Sequence, residues 1–183
     1  MRARWRRVPD LRATLDELAD LRLNHDPSEL DGPGWHHDHE RWPLAREAPG
    51  DPEPDGAWET ACRLVRDYEF VPPSIIRGYF HRDVPLAGRD MLLVGRFLGL
   101  RFPMGVRVDT VVDETRTGDD GHRERAWGWS YRTLEHHLER GRLVYEVVKD
   151  LDDGSVALVL TGVSQQGEIP NLVVRLGFSV FGR

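Results

Sequence analysis

The feature that most constrains this chain is an alternation of apolar and polar residues that returns, turn by turn, through its second half. Leu100, Phe102, Met104, Val106 and Val108 share one parity, while Arg101, Arg107 and Asp109 share the other. Successive side chains of an extended strand point to opposite faces, so Leu100–Asp109 predicts a strand with one face buried. Ala126–Tyr131 repeats the pattern, with Trp127, Trp129 and Tyr131 on one face and Ala126, Gly128 and Ser130 on the other. Thr117–Glu124, between them, is a polar turn region. Gly141–Lys149 and Ser155–Ser164 flank Asp152-Asp153-Gly154, residues that tolerate the backbone of a tight hairpin turn. The second of these strands is apolar on both faces: Val156, Leu158 and Leu160 against Ala157, Val159 and Val163. It needs cover on both sides, or one face lining a dry cavity. Met91–Leu98 adds a further apolar run with β-branched and aromatic members.

Helical spacing appears on either side of this block. Leu11, Leu15, Leu18 and Leu21 predict a short helix over Pro9–Leu21. Trp58, Ala61, Cys62 and Val65 fall at i, i+3, i+4 and i+7, so Ala57–Tyr68 predicts a helix that Pro72-Pro73 stops. Ser74–Phe80 reads as a further turn of helix. Pro170 can open a terminal helix with Ile169, Leu172, Val173, Leu176 and Val180 on one face, widened by Val174 and Phe178. Asn24–Gly56 holds Pro27, Pro33, Pro43, Pro49, Pro52 and Pro54 and few aliphatics, which predicts a long loop pinned by Trp35 and Trp42. The fold class that follows is α+β. A curved antiparallel sheet of about five to seven strands packs on helices in a helix-grip-like arrangement, with the long Pro-rich loop near the N-terminus. Residues 1–183 are expected to form one domain, with 1–56 as helix and loop and 57–183 as the α+β body.

Composition excludes several function classes. With 183 residues, 39% apolar and 31% charged, the chain has enough material for a true core. No stretch reaches the ~20 apolar residues of a membrane helix. The first residues lack the apolar centre of a secretory signal, so a cytoplasmic location is expected. A single cysteine, Cys62, leaves no internal disulfide framework and reads as a buried structural thiol. The net charge of −6 argues against a general nucleic-acid binder. Arg2, Arg4, Arg6 and Arg7 read as a solvated basic terminus. The chain carries no glycine-rich nucleotide loop, nucleophile elbow or Cys-x-x-Cys, and no cofactor is expected.

Gly128-Trp129-Ser130-Tyr131-Arg132-Thr133-Leu134, then Glu135-His136-His137-Leu138-Glu139-Arg140-Gly141, the Asp-Asp-Gly turn and Ser164 form a recognisable stretch. It resembles the DUF-nineteen-ninety family, a domain of unknown function whose members show a Gly-Tyr-Gly-Thr-Leu-Pro-Gly-His-Pro-Glu-Arg-Gly-like segment. The resemblance implies that Thr133, Leu134, His137, Glu139, Arg140 and Gly141 match the family's residues. Ser164 would match the serine of a Phe-Ser-Arg-Pro-like stretch. The chain departs from the pattern at Glu135, His136 and Leu138, and at Gln165 and Gln166. The family's α+β pattern is similar to helix-grip, START-like ligand-binding domains, an analogy of fold and not of chemistry.

Three sets of residues carry candidate chemistry. His137, Glu139 and Arg140 lie near Tyr131 and Tyr145 in the expected strands. A histidine oriented by a carboxylate can carry a proton, and an arginine can hold a carboxylate or phosphate. A structured inter-strand loop, with His137 and Arg140 on backbone carbonyls, accounts for the same residues. His36, His37 and His39, with Asp38 and Glu40, have metal-ligand chemistry, but their loop spacing reads as solvated and no metal is assigned. Trp129 and Tyr131 could stack on a ligand or simply fill the core. The reading that unites these features is a small-molecule binding protein. An apolar ligand would lie between the sheet and the terminal helix, contacted by Trp129, Tyr131, Tyr145, Ser164 and Arg140. Two alternatives stay open. One is a cofactor-independent enzyme on the same scaffold that uses His137 and Glu139 on a hydrophobic substrate. The other is a protein–protein interaction module.

Overall fold

The computed structural model describes residues 10–97, 100–118 and 121–166. Seven strands form one open, curved sheet: β1 (His36–Arg46), β2 (Ile76–Tyr79), β3 (Asp90–Phe97), β4 (Leu100–Thr117), β5 (Arg123–Thr133), β6 (Glu139–Asp150) and β7 (Ser155–Gln166). Their order is β1-β7-β6-β5-β4-β3-β2, and every pairing is antiparallel. The fold is therefore α+β, with the expected β6–β7 hairpin within the sheet. At the hairpin turn Gly154 has φ 80°, and an added Cβ would lie 2.2 Å from the Glu47 carbonyl oxygen, so no other residue fits there without a shift.

Two short helices bury opposite faces. In α1 (Leu11–Asp16) the Asp10 carboxylate accepts from the Arg12 and Ala13 amides, which caps the helix start. Leu15, and Leu18 in the 3-10 turn that follows, pack on Leu92, Val94 and Leu134. In α2 (Ala57–Arg66) the stripe Trp58, Ala61, Cys62 and Val65 packs on the other face. There it joins Met91 and Leu93 of β3, Val106 and Val108 of β4, Trp127, Trp129 and Tyr131 of β5, and Tyr145 and Val147 of β6. We call this the core face. Odd and even residues of β3 thus feed two different clusters, as strand alternation requires. On the face opposite α2, Ala126, Val148, Ala157 and Val159 form a third, smaller cluster.

Two segments differ from the sequence expectation. The Pro-rich segment holds a strand: β1 pairs with β7 along its length, shifted once at Pro43/Ala45. All eleven of its residues are exposed, so neither face imposes the apolar alternation that marks a strand in sequence. Its Pro43 is tolerated because β1 is an edge strand. Trp35 is half-buried, whereas Trp42 is 42% exposed and pins nothing. Ser74–Phe80 contains β2 and not a helical turn, the four residues of that strand pairing with β3. The helix over Ala57–Tyr68 ends at Arg66 because Tyr68 turns left-handed, at φ 56°, ahead of the proline pair. The helix expected from Pro170 lies outside the described residues. Among those described, no helix is long and apolar enough to cross a membrane.

Candidate functional site

Alternation along β5 and β6 sets Trp129 and Tyr131 beside Tyr145 on the core face, with Trp129 opposite Tyr145 and Tyr131 opposite Leu143. The left-handed turn after α2 swings Tyr68 and then Phe70 onto the same spot. Ring centroids lie 4.9 Å apart for Phe70–Tyr145, 5.5 Å for Trp129–Tyr145, 6.0 Å for Tyr131–Tyr145 and 6.2 Å for Tyr68–Tyr145. Trp129 is fully buried and its Nε1–H donates to the Val65 carbonyl oxygen, 3.1 Å away, so its polar atom is occupied in holding α2.

The three phenols are the unusual feature. Tyr68, Tyr131 and Tyr145 are all buried, and the hydroxyls of Tyr68 and Tyr145 lie 3.5 Å apart. Tyr145 is also coupled through its hydroxyl to Tyr131. Burial raises all three pKa values, Tyr131 and Tyr145 the most; repulsion from the neighbouring phenolates adds to it at those two, whereas the hydrogen bond to Tyr145 opposes it at Tyr68. Each hydroxyl therefore keeps its proton. Two links between three hydroxyls use at most two of the three O–H groups as donors. One donor is left for an acceptor from outside the trio. Half-buried Phe70, Val71, Met104, Leu143, Leu158 and Leu160 pack against the core cluster that holds the trio.

Polar groups lie toward the β1 edge of this face. The register puts Glu139 and Ser164 on the parity of Tyr145, and Asp38 opposite Gly162, which itself faces Leu143. Burial raises the pKa of the Glu139 carboxyl, and the charge of Asp38 raises it further. Glu139 in turn contributes to the raised pKa of Tyr131. His36 Nε2 lies 2.9 Å from Asp38 Oδ1 in an exposed pair.

The set His137, Glu139 and Arg140 does not converge. His137 is buried in the β5–β6 turn, and its Nδ1 is 3.0 Å from both the backbone nitrogen and the backbone oxygen of Glu139. Burial pushes its pKa down to about 4 against the opposing effect of that backbone contact, so the ring is neutral at pH 7. Arg140 has the other parity and lies on the face away from the tyrosines. Its Nε donates to the Asn24 carbonyl oxygen (2.9 Å), its guanidinium pairs with Glu29 (2.6 Å), and it sits over the Trp35 ring. His37 and His39 share one face of β1 and His36 lies on the other, so the strand does not bring the three together. Cys62 is buried, and burial pushes its thiol up to about 12, the state of an inert thiol.

Sequence reasoning missed Tyr68 and Phe70, which no strand pattern marks. It also missed His122, Asp150 and Asp152, whose donor atoms lie within 4.8 Å of one another. The Asp150 carboxylate already accepts from His122 and from the amides of Asp152 and Asp153, so it serves the hairpin turn. Two clefts lie elsewhere. One of about 350 Å³ separates α2 from β4 and β5 at Trp58, Arg66, Arg125 and Trp127. Another of about 830 Å³ runs along β2 from Leu11 and Leu15 to Tyr68 and Phe80. Tyr68 borders the second.

No curated protein matches the chain. Nine chains of solved structures match, among them the crystal structure of Ara h 8.0201. That likeness covers 81% of this chain and 92% of that chain at 12% identity, with a TM-score of 0.43. A family model described as Domain of unknown function (DUF1990) matches residues 19–183, nearly the whole chain and all seven strands. The chain belongs to the DUF1990 family.

Proposed function

We propose that the core face around Tyr68, Tyr131 and Tyr145 binds a mainly apolar small molecule through one oxygen acceptor, such as a carbonyl. The observation that carries this reading is the surplus phenolic donor buried among apolar side chains. A buried donor without an acceptor costs on the order of 1–3 kcal/mol, and a ligand oxygen placed there removes that cost. Leu143, Leu158 and Leu160 supply the apolar contact, and Ser164 and Glu139 the polar rim. Arg140, on the opposite face, takes no part.

A second reading rests on Glu139. Its carboxyl is buried and its pKa is raised, the direction of shift that a general acid needs. An enzyme on this scaffold would use Glu139 as its proton donor, with the tyrosines polarising the substrate carbonyl. His137, bound to the Glu139 backbone, would position the loop.

The test is native mass spectrometry of gently purified protein, before and after denaturation, followed by displacement of the fluorescent probe anilinonaphthalene sulfonate by carbonyl-bearing apolar compounds. Tyr145→Phe is expected to weaken the best competitor about tenfold, as loss of one buried hydrogen bond does. His137→Ala should leave it within about twofold. An unchanged affinity for Tyr145→Phe sinks the tyrosine site. Turnover abolished by Glu139→Gln with binding retained would establish the second reading.

A further inference from the structure

The cleft of about 350 Å³ between α2 and strands β4 and β5 has two indoles and three guanidiniums in its lining. Trp58, Arg63 and Arg66 come from α2, and Arg125 and Trp127 from β5. Both indoles are buried, and Trp58 Nε1–H donates to the Val147 carbonyl oxygen at 3.2 Å, which fixes that ring. Arg63 and Arg66 stand three residues apart, so they share one side of the helix. The Arg66 guanidinium lies over the Trp127 ring, 4.8 Å from its centroid, and that of Arg125 lies over Trp58 at 5.4 Å.

The charges that line this cleft do not cancel. Arg125 is engaged, since it pairs with Asp113 and donates to the Ala126 carbonyl oxygen. Glu59 is four residues before Arg63 and spaced to pair with it, yet its carboxylate accepts from the Asp55 amide at 2.9 Å. Arg63 and Arg66 take part in no hydrogen bond or ion pair among the described residues. Three guanidiniums thus line the cleft with two carboxylates, Glu59 and Asp113. Asp67, the next acid along the chain, comes with Arg89, on which its charge acts, so adding both leaves the excess as it was. The imbalance reaches Cys62 in the cleft wall. Burial pushes that thiol up, but among the charges acting on it Arg66 and Arg125, which pull it down, outweigh Asp113 and Glu59. An arginine over an indole is held in place while its N–H groups stay available. It offers a flat face to a second ring and a fork of donors to a carboxylate.

We infer that this cleft binds a flat aromatic carboxylate, with Arg63 and Arg66 on the carboxylate and the ring laid against the Arg66 guanidinium and the two indoles. One excess positive charge matches a monoanion, which favours a carboxylate over a phosphate. The volume falls within the range of about 300–1,000 Å³ usual for small-molecule sites. The three tyrosines are not in the lining, so the site stands independently of the proposed ligand on the core face.

The experiment is a nuclear magnetic resonance titration of the full chain with 2-naphthoate, and separately with the neutral 2-naphthalenemethanol. The expected result is a saturable shift of the Trp127 indole N–H and the Arg66 Nε–H with naphthoate. The alcohol, and naphthoate with Arg66→Gln, should each bind about tenfold more weakly, as loss of a charged hydrogen bond requires. Arg46→Gln removes an arginine outside the cleft and should stay within about twofold, as should Tyr145→Phe. Arg66 is exposed, so its variant should fold, and the comparison of acid with alcohol decides even without it. Absence of a saturable shift, equal affinity for the alcohol, or full affinity in Arg66→Gln overturns the site. A loss in Tyr145→Phe would assign the naphthoate to the tyrosines and overturn it as well.

Discussion

His137 shows how a single side chain can look like chemistry and act as scaffold. Its ring is buried and neutral, with a pKa pushed down to about 4, whereas in the unfolded chain it titrates near 6.5. Between those values the unfolded state binds the extra proton, so stability rises with pH through that window. The contribution is complete above pH ~6.5 and is lost progressively as pH falls to about 4, on the order of 3 kcal/mol in all. His137→Asn keeps a donor and an acceptor near the Glu139 backbone but does not titrate. Urea unfolding from pH 7 to pH 4 should therefore show a shallower acid limb for the variant. Equal limbs would mean that the folded ring is charged. Arg140 and Tyr145 stand five positions apart, an odd spacing that puts them on opposite faces of any regular strand, so their separation was legible in the sequence. The loop position of His137 hid its role, because nothing in the spacing says that a ring will bind a backbone two residues away.

Among elements, those facing a core were legible and those facing water were not. β4 to β7 and α2 follow their apolar patterns because each buries a stripe on the core face, and β5 to β7 bury residues on the opposite face as well. β1 has no such stripe, and its pairing with β7 rests on the backbone ladder and a few side chains. The strongest of these is just past its end. Lys149, fully buried, donates to Glu47 at 2.7 Å and to the Asp51 carbonyl oxygen at 2.9 Å. Glu47 also accepts from the Trp58 amide at the start of α2, 2.7 Å away. Burial raises the Glu47 pKa, but the bonds from Lys149, Trp58 and Glu53 outweigh it and leave it lowered. One carboxylate thus joins β1, β6 and α2. Glu47→Leu or Lys149→Met should each destabilise by about 3–5 kcal/mol, the usual cost of stranding a buried charge. The paired replacement Glu47→Leu with Lys149→Met should recover much of it, as a double-mutant cycle in denaturant would read. Equal, additive losses would show that the two groups do not interact.

Across the whole molecule, the two faces of the sheet are built differently. The core face holds the phenols that Tyr131 and Tyr145 announced by alternation and Tyr68 completed unannounced. The opposite face carries Arg132, Arg140 and Arg142. Hydrogen exchange should divide the strands by burial: amides of β5 and β6 protected to near the global unfolding free energy, those of exposed β1 opening well below it. Uniform protection across all seven strands would contradict that division. The strand order carries one more consequence. From β2 to β7 each strand pairs with its neighbour in sequence, whereas His39 of β1 meets Thr161 of β7 across 122 residues. Closing so long a loop loses much chain entropy, while the successive hairpins zip with little loss. During folding, the first of the seven strands the ribosome delivers is the last one the sheet can accept, and until β7 emerges it has nothing to pair with.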